Sequence, residues 1–261
     1  MNLHVETQGS GEPLLLIHGW GMHGGMWGQV AEKLSASFTV HSIDLPGHGY
    51  SNLATRNGAN KLDEIVLQLA GQFSGQLSEP LTLCGWSLGG QIALRWAQLQ
   101  PKQIQKLILV ATTPRFVQTD NWACAMAAAT LQEFSTALLE NHALTLRRFL
   151  ALQVRGSEQE RELLATLRTQ LFSHGEPNTE ALKGGLEILR DTDLRSSLSK
   201  VLQPTLLLAG ERDTLTPLAA VQYMKDQMHN AQLVTIKGAA HAPFLSHPQI
   251  FIQHILSFLH E

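Results

Sequence analysis

Short hydrophobic runs recur along this chain, and longer stretches with helical periodicity separate most of them. Six runs are long enough for one buried strand each, at residues 14–17, 38–43, 81–84, 107–111, 205–209 and 233–236. Uninterrupted apolar runs of this length are typical of strands that are covered on both faces. The alternation of such strands with helices predicts an α/β protein, with a mostly parallel central sheet flanked by helices.

One long stretch departs from this pattern. Residues 115–190 contain no run typical of a strand and predict several helices, among them 125–140 and 158–172. We therefore expect a core formed by residues 1–114 and 191–261, and a helical insertion at 115–190. Ligands of open α/β sheets bind beyond the carboxyl ends of the strands, so we expect the insertion to form a cap there.

Composition narrows the class of protein further. The chain has 261 residues, 44% of them hydrophobic and 16% charged, which is enough for one large domain that carries an insertion. A net charge of -3 without a basic cluster argues against a nucleic-acid partner. The first seven residues resemble no signal peptide, and the apolar runs are too short to span a membrane. The chain has two cysteines, and Cys84 lies on a predicted buried strand, so we expect no disulfide framework and a location in the cytoplasm. By default we expect a monomer.

The strongest chemical signal is Gly85-Trp86-Ser87-Leu88-Gly89, directly after the third hydrophobic run. In a nucleophile elbow the chain reverses between strand and helix so sharply that the flanking positions must be glycine. The serine side chain is then held at the tip of the turn, and the next helix begins at Leu88. The pattern predicts Ser87 as a nucleophile.

A serine hydroxyl needs a base that takes its proton and an acid that orients the base. We expect the base to be His241, which lies in a loop of small residues after the last hydrophobic run and follows the acid in the chain order of this motif. Other late histidines, at the start of or within the terminal amphipathic helix, have solvated or packing roles by default: His247, His254 and His260. The expected acid is Asp213, after the fifth run. Asp191 and Asp193 are rivals in position but follow no strand-like run.

The loop after the first run completes the predicted site. Residues 18–21, His18-Gly19-Trp20-Gly21, can aim backbone N–H groups at a carbonyl oxygen above Ser87, and the amides of Trp20 and Leu88 are the expected oxyanion donors. The Trp20 side chain packs or walls the acyl pocket. We interpret His18 as a residue that holds this loop, and Asp44 as a loop organiser outside the site.

Together these segments resemble the α/β-hydrolase superfamily across nearly the whole chain. More narrowly, residues 85–90, 148–153, 184–189 and 240–248 resemble the family of pimeloyl-[acyl-carrier protein] methyl ester esterases of biotin synthesis. The resemblance implies a serine carboxylesterase that acts on a carrier-bound methyl ester without metal or organic cofactor. It also implies substrate-binding roles for these positions: Trp20, Leu88, Phe149, Leu150, Ala151, Leu152, Gln153 and His241.

An acyl carrier protein of this kind is acidic, so basic residues should surround the entrance of the site. Five arginines occur in the insertion: Arg147, Arg148, Arg155, Arg161 and Arg168. The resemblance extends to Arg148 and Arg161 as docking positions, while glutamates between them also fit an ordinary solvated helix face. Other functions stay open: a general short-chain esterase, a C–C hydrolase, a perester-forming enzyme, a menaquinone-pathway lyase, or a receptor with the hydrolase fold.

Overall fold

The central element of the protein is a seven-stranded sheet. The computed structural model describes residues 3–53, 61–75 and 79–261. The strands are β1 (Val5–Gln8), β2 (Pro13–Ile17), β3 (Thr39–Ile43), β4 (Leu81–Trp86), β5 (Ile104–Val110), β6 (Thr205–Gly210) and β7 (Ala231–Ile236). Their order across the sheet is β1-β3-β2-β4-β5-β6-β7. Every neighbouring pair is parallel except β1 with β3, so the predicted α/β fold with a mostly parallel sheet is confirmed.

Helices connect the strands and cover the sheet. They are α1 (Gly28–Leu34), α2 (Lys61–Phe73), α3 (Leu88–Leu99), α4 (Ala128–Glu140), α5 (His142–Val154), α6 (Glu160–Gln170), α7 (Thr179–Asp191), α8 (Leu218–Gln227), α9 (Pro243–Ser246) and α10 (Pro248–Leu259). Short 3-10 turns occur at Gly24–Trp27, Pro101–Gln103 and Arg195–Lys200. Within the described ranges, no helix is both long enough and apolar enough to cross a membrane.

The middle strands explain why the sequence pattern is so clear. All residues of β2, β4 and β6 are buried, because helices cover both faces of the sheet there. The edge strand β1 is different: three of its four residues are exposed, and it lies antiparallel to β3. The hydrophobic pattern did not predict β1, because an exposed edge strand needs no apolar run.

The helices α4 to α7 lie between β5 and β6, in the stretch predicted as an insertion. Asparagines start two of them: the Asn141 side chain accepts from the Leu144 amide at 2.9 Å, and that of Asn178 accepts from the Glu180 amide at 2.9 Å. The stretch also contains two isolated bridges, Val117 to Met126 and Thr119 to Trp122, but no longer ladder among the described residues.

Candidate active site

The carboxyl ends of the parallel strands bring the predicted site residues to one edge of the sheet. Trp20 follows β2, Ser87 directly follows β4, Asp213 follows β6 and His241 follows β7, each within five positions of the end of its strand. These four strands run in the same direction, with β5 between β4 and β6. Loops that are distant in the chain therefore meet at a single edge.

Ser87 occupies a strained turn between β4 and α3. Its backbone angles are φ 56° and ψ -114°, although it is not a glycine. Its amide donates to the Val110 carbonyl at 2.9 Å, and its carbonyl accepts from the Gly90 amide at 2.9 Å. A conformation of this kind costs about 1–3 kcal/mol and is found mostly at functional sites. The surrounding hydrogen bonds hold Ser87 in it.

The two flanking glycines are required by close backbone approach. A Cβ atom on Gly85 would overlap the carbonyl oxygen of Gly89, and one on Gly89 would overlap the carbonyl oxygen of Ile17. Both overlapping atoms belong to the backbone, which cannot move away by a change of rotamer as a side chain can. The close approach of strand and helix at the predicted elbow thus explains the G-x-S-x-G pattern.

Asp213 and His241 form a buried hydrogen-bonded pair. Oδ2 of Asp213 lies 2.8 Å from Nδ1 of His241, and both side chains are almost completely buried. The carboxylate also accepts from the Leu215 amide at 2.8 Å, the Thr216 amide at 3.0 Å and the Thr216 hydroxyl at 2.6 Å. An ionised carboxylate only accepts hydrogen bonds, so the proton of the neutral ring lies on Nδ1. Nε2 of His241 keeps its lone pair and has no hydrogen-bond partner among the described residues.

The main chain of His241 is held from two sides. Its amide donates to the Gln153 carbonyl of α5 at 3.0 Å, and its carbonyl accepts from the indole nitrogen of Trp86 at 2.9 Å. The Trp86 contact ties the elbow itself to the histidine loop. Sequence reasoning assigned no role to Trp86, and its only signal was a large aromatic residue next to the nucleophile.

The predicted oxyanion donors lie at the ends of β2 and β4. In the part of the chain that the structure describes, neither the Trp20 amide nor the Leu88 amide donates a hydrogen bond. The ring of His18 fixes the loop before Trp20, because Nδ1 bonds the Gly19 carbonyl at 2.7 Å and Nε2 accepts from the Leu45 amide at 2.9 Å. Burial, with a smaller effect of nearby His48, lowers the pKa of His18 to about 3. His18 is therefore a neutral structural residue.

The predicted substrate-binding positions of α5 fall into two groups. The Phe149 ring packs edge-on against Trp20 with centroids 4.9 Å apart, and Gln153 meets His241 through its carbonyl. Both therefore lie beside other predicted site residues. Leu150 is buried and Ala151 and Leu152 are half-buried, without a described contact to the Asp213–His241 pair. For these three residues substrate binding stays a prediction.

The rival candidates lie elsewhere or have other partners. Asp191 pairs with Arg190, and Asp193 pairs with Arg115 and Arg195. These ion pairs occupy both rival carboxylates. His247 bonds the neighbouring Ser246 hydroxyl at 2.8 Å, and the exposed His260 lies over Phe38. His254 is half-buried on α10.

Another cluster of titratable side chains links the loops after β2 and β3 to the loop after α6. Asp44 accepts from the amides of Gly24 at 2.6 Å and Tyr50 at 2.9 Å, and its Oδ2 lies 3.1 Å from Nδ1 of His174. Burial by itself would raise the pKa of Asp44, but these hydrogen bonds, together with nearby His18, lower it below its ordinary value. Asp44 is thus a loop organiser, as the sequence indicated.

The ligand atoms of His23, Asp44 and His174 lie within 4.8 Å of one another. However, the rings of His23 and His174 are stacked, with centroids 4.2 Å apart and planes 26° apart. A metal ion binds in the plane of an imidazole, along the nitrogen lone pair, and two stacked rings cannot both reach one ion in this way. We therefore assign this cluster a structural role, as a contact between the loop after α6 and the core.

The fold is that of the α/β hydrolases. Residues 12–248 match the sequence model of the alpha/beta hydrolase fold family. The chain is 41% identical to the pimeloyl-[acyl-carrier protein] methyl ester esterase of Nitrosomonas europaea over 96% of this chain and 97% of that protein. It is 40% identical to the enzyme of the same name from Chromobacterium violaceum over 99% of this chain and 98% of that protein. An esterase structure from Exiguobacterium antarcticum shares the fold, with a TM-score of 0.90 at 22% identity, covering 99% of this chain and 96% of that one. The chain therefore belongs to the α/β-hydrolase family and, within it, to the group of pimeloyl-[acyl-carrier protein] methyl ester esterases.

Proposed function

We propose that this protein hydrolyses the methyl ester of a pimeloyl chain carried on acyl carrier protein, with Ser87, His241 and Asp213 as the catalytic triad. The observation that carries the proposal is the buried Asp213–His241 pair, 2.8 Å apart at the same sheet edge as the strained Ser87 turn. Full-length relatives that share about two residues in five bear the name of this activity.

The proposed reaction proceeds through an acyl-enzyme. Ser87 Oγ attacks the ester carbonyl carbon while Nε2 of His241 takes the hydroxyl proton, and Asp213 stabilises the resulting imidazolium. The Trp20 and Leu88 amides receive the negative charge that develops on the carbonyl oxygen. His241 then gives its proton to the departing methoxy group, which leaves as methanol. Water, deprotonated by His241, releases the carboxylic acid and restores the serine.

Selection between the two ends of the substrate requires control of access. The substrate has a methyl ester at one end and a thioester at the other, and the thioester is intrinsically no harder to cleave. Specificity therefore depends on which carbonyl reaches Ser87. A carrier protein docked on the cap, which we take to be residues 115–190, would present the distal ester and keep the thioester outside. We also propose that the protein acts in the cytoplasm, as a monomer.

The insertion offers a surface for such docking. Arg148 on α5 and Arg161 on α6 are exposed, and neither forms an ion pair with the described part of the chain. Two glutamates of this segment have other partners: Glu158 lies 3.7 Å from Arg212, and Glu160 accepts from the Gly156 amide at 2.9 Å. Because neither arginine forms an ion pair within the described residues, both can pair with an acidic partner.

The test compares two substrates in one protein. Wild type should cleave pimeloyl carrier protein methyl ester and a free short-chain ester, and should restore growth without biotin to a strain that lacks its own esterase. Ser87→Ala should abolish both activities. If the protein cleaves the short-chain ester but neither cleaves the carrier-bound ester nor restores growth, it is a general esterase. If the ester labels the protein stoichiometrically and no product is released, the protein is a receptor.

Docking is tested separately by Arg148→Glu with Arg161→Glu. We expect turnover of the carrier-bound ester to fall about tenfold or more, because like charges then face the acidic partner. The free ester should be cleaved as by wild type. Lys33→Glu, an exposed charge reversal on α1, is the matched control and should change neither rate. Equal loss on both substrates would reject the docking surface.

A further inference from the structure

We propose that Gly185 of the cap helix α7 is a positioning residue that sets the geometry of the oxyanion hole. A Cβ atom at this position would lie 2.5 Å from Cδ1 and 3.0 Å from Nε1 of Trp20, and 3.6 Å from Cδ2 of Leu88. Trp20 and Leu88 are the two residues whose amides are the proposed oxyanion donors. One glycine of α7 thus lies against the side chains of both residues, and this inference rests on the proposed function.

The sequence of α7 supports a specific need at this position. Gly184 and Gly185 are adjacent in the middle of a thirteen-residue helix and are both buried. Glycine costs about 1 kcal/mol relative to alanine in a helix interior. The glycine at position 185 allows α7 to approach the Trp20 indole closely. No larger residue fits between them at this spacing.

Two further contacts fix the same indole to the cap. Its Nε1 donates to the Leu182 carbonyl of α7 at 2.8 Å, and Phe149 of α5 packs edge-on against its ring. The Trp20 side chain is only 1% exposed. Because the side chain is held by the cap, the amide of the same residue is held too, although it lies on a loop of the core. The cap is then part of the catalytic geometry as well as a cover over the substrate.

The test is Gly185→Ala, with Gly71→Ala as the matched control. Gly71 is also a helical glycine, but a Cβ there meets no atom within 4 Å. We expect Gly185→Ala to lower kcat/KM for a short-chain aryl ester about 10- to 100-fold, since small displacements of catalytic groups have effects of this size. Most of the loss should be in kcat. Gly71→Ala should stay within twofold of wild type.

Two readouts separate a positioning role from a general loss of folding. A short-chain trifluoromethyl ketone, which adds the serine hydroxyl and places its oxygen in the oxyanion hole, should bind Gly185→Ala more weakly by the same factor as the fall in kcat/KM. Hydrogen exchange should be faster at the amides of residues 19–22 and 88–90, and unchanged in β6 and β7. A double variant with Trp20→Ala should lose less than the product of the single losses, because alanine has no ring for a Cβ at position 185 to meet.

The outcomes are distinct. Turnover, ketone affinity and amide exchange of Gly185→Ala all within twofold of wild type would overturn the positioning role. If Gly185→Ala does not fold, Trp20→Phe alone decides: it removes the bond to Leu182, and about 2- to 10-fold losses in turnover and ketone affinity are expected. Wild-type values for this variant would overturn the proposal. If the wild-type protein shows no ester turnover, the proposed function is rejected. The hydrogen-exchange measurement would still test the contact between Gly185 and Trp20.

Discussion

Replacement of Asp213 by asparagine should reverse the hydrogen bond on which the base depends. The Leu215 and Thr216 amides both donate to Oδ1, so the asparagine oxygen must take that position. The amide NH2 then faces Nδ1 of His241 from the place of Oδ2, 2.8 Å away. The NH2 group donates to Nδ1, which moves the ring proton to Nε2. A protonated Nε2 cannot accept the proton of Ser87.

The free energies of the hydrogen bonds disfavour the opposite orientation of the asparagine side-chain amide in Asp213→Asn. A flip would leave two buried N–H groups without acceptors, at about 1–3 kcal/mol each, whereas it would restore a single hydrogen bond to the histidine. The same exchange in a serine protease triad lowers kcat about 10⁴-fold, and we expect about 10³- to 10⁴-fold here.

The assay combines kinetics with spectroscopy. Turnover of p-nitrophenyl acetate gives kcat, and ¹⁵N NMR of the imidazole shows which ring nitrogen carries the proton. Thr216→Val is the control, because it keeps the carboxylate and removes only the Thr216 hydroxyl, which lies 2.6 Å from Oδ2 of Asp213 and 3.4 Å from Nδ1 of His241. The expected loss is about 3- to 10-fold. Activity of Asp213→Asn within tenfold of wild type, or a ring that keeps its proton on Nδ1, would refute the reasoning.

Three further predictions concern stability and reactivity. Gly89→Ala should yield little folded protein, because the new Cβ meets backbone atoms of residues 17 and 18. The control Gly71→Ala should leave the urea midpoint of unfolding unchanged or higher. Equal urea midpoints for wild type and Gly89→Ala would contradict the prediction. His18 has a pKa of about 3 in the folded protein against 6.5 when exposed, so the unfolded chain binds the extra proton and stability falls as pH drops from 6.5 towards 3. Urea unfolding at pH 7 and pH 5 should show a loss of at least about 2 kcal/mol, because burial also lowers the pKa values of His23 and His41 and their losses have the same sign. Equal stabilities at the two pH values would contradict the prediction. Burial raises the pKa of the Cys84 thiol, so Ellman's reagent should reach Cys84 only after unfolding, whereas the half-buried Cys124 can react in the native protein. Rapid labelling of both thiols in the native protein would show that the strand is accessible.

The local pattern of the chain determined the central sheet and the elbow. Strands buried on both faces need continuous apolar runs, and the turn at Ser87 needs glycine where strand and helix almost touch. Both requirements act within a few neighbouring residues, so a single sequence displays them. The positions of Asp213 and His241 at strand ends also followed from this local order, because parallel strands bring their carboxyl ends to one edge.

Contacts between distant segments were decided only by the tertiary structure. The edge strand β1 has no apolar run because solvent covers it, and the bond from Trp86 to the His241 carbonyl joins residues 155 positions apart. The contact of Gly185 with Trp20 likewise depends on how α7 lies on the core. Such pairings depend on the relative placement of whole elements, and neither partner carries a local pattern that identifies the other.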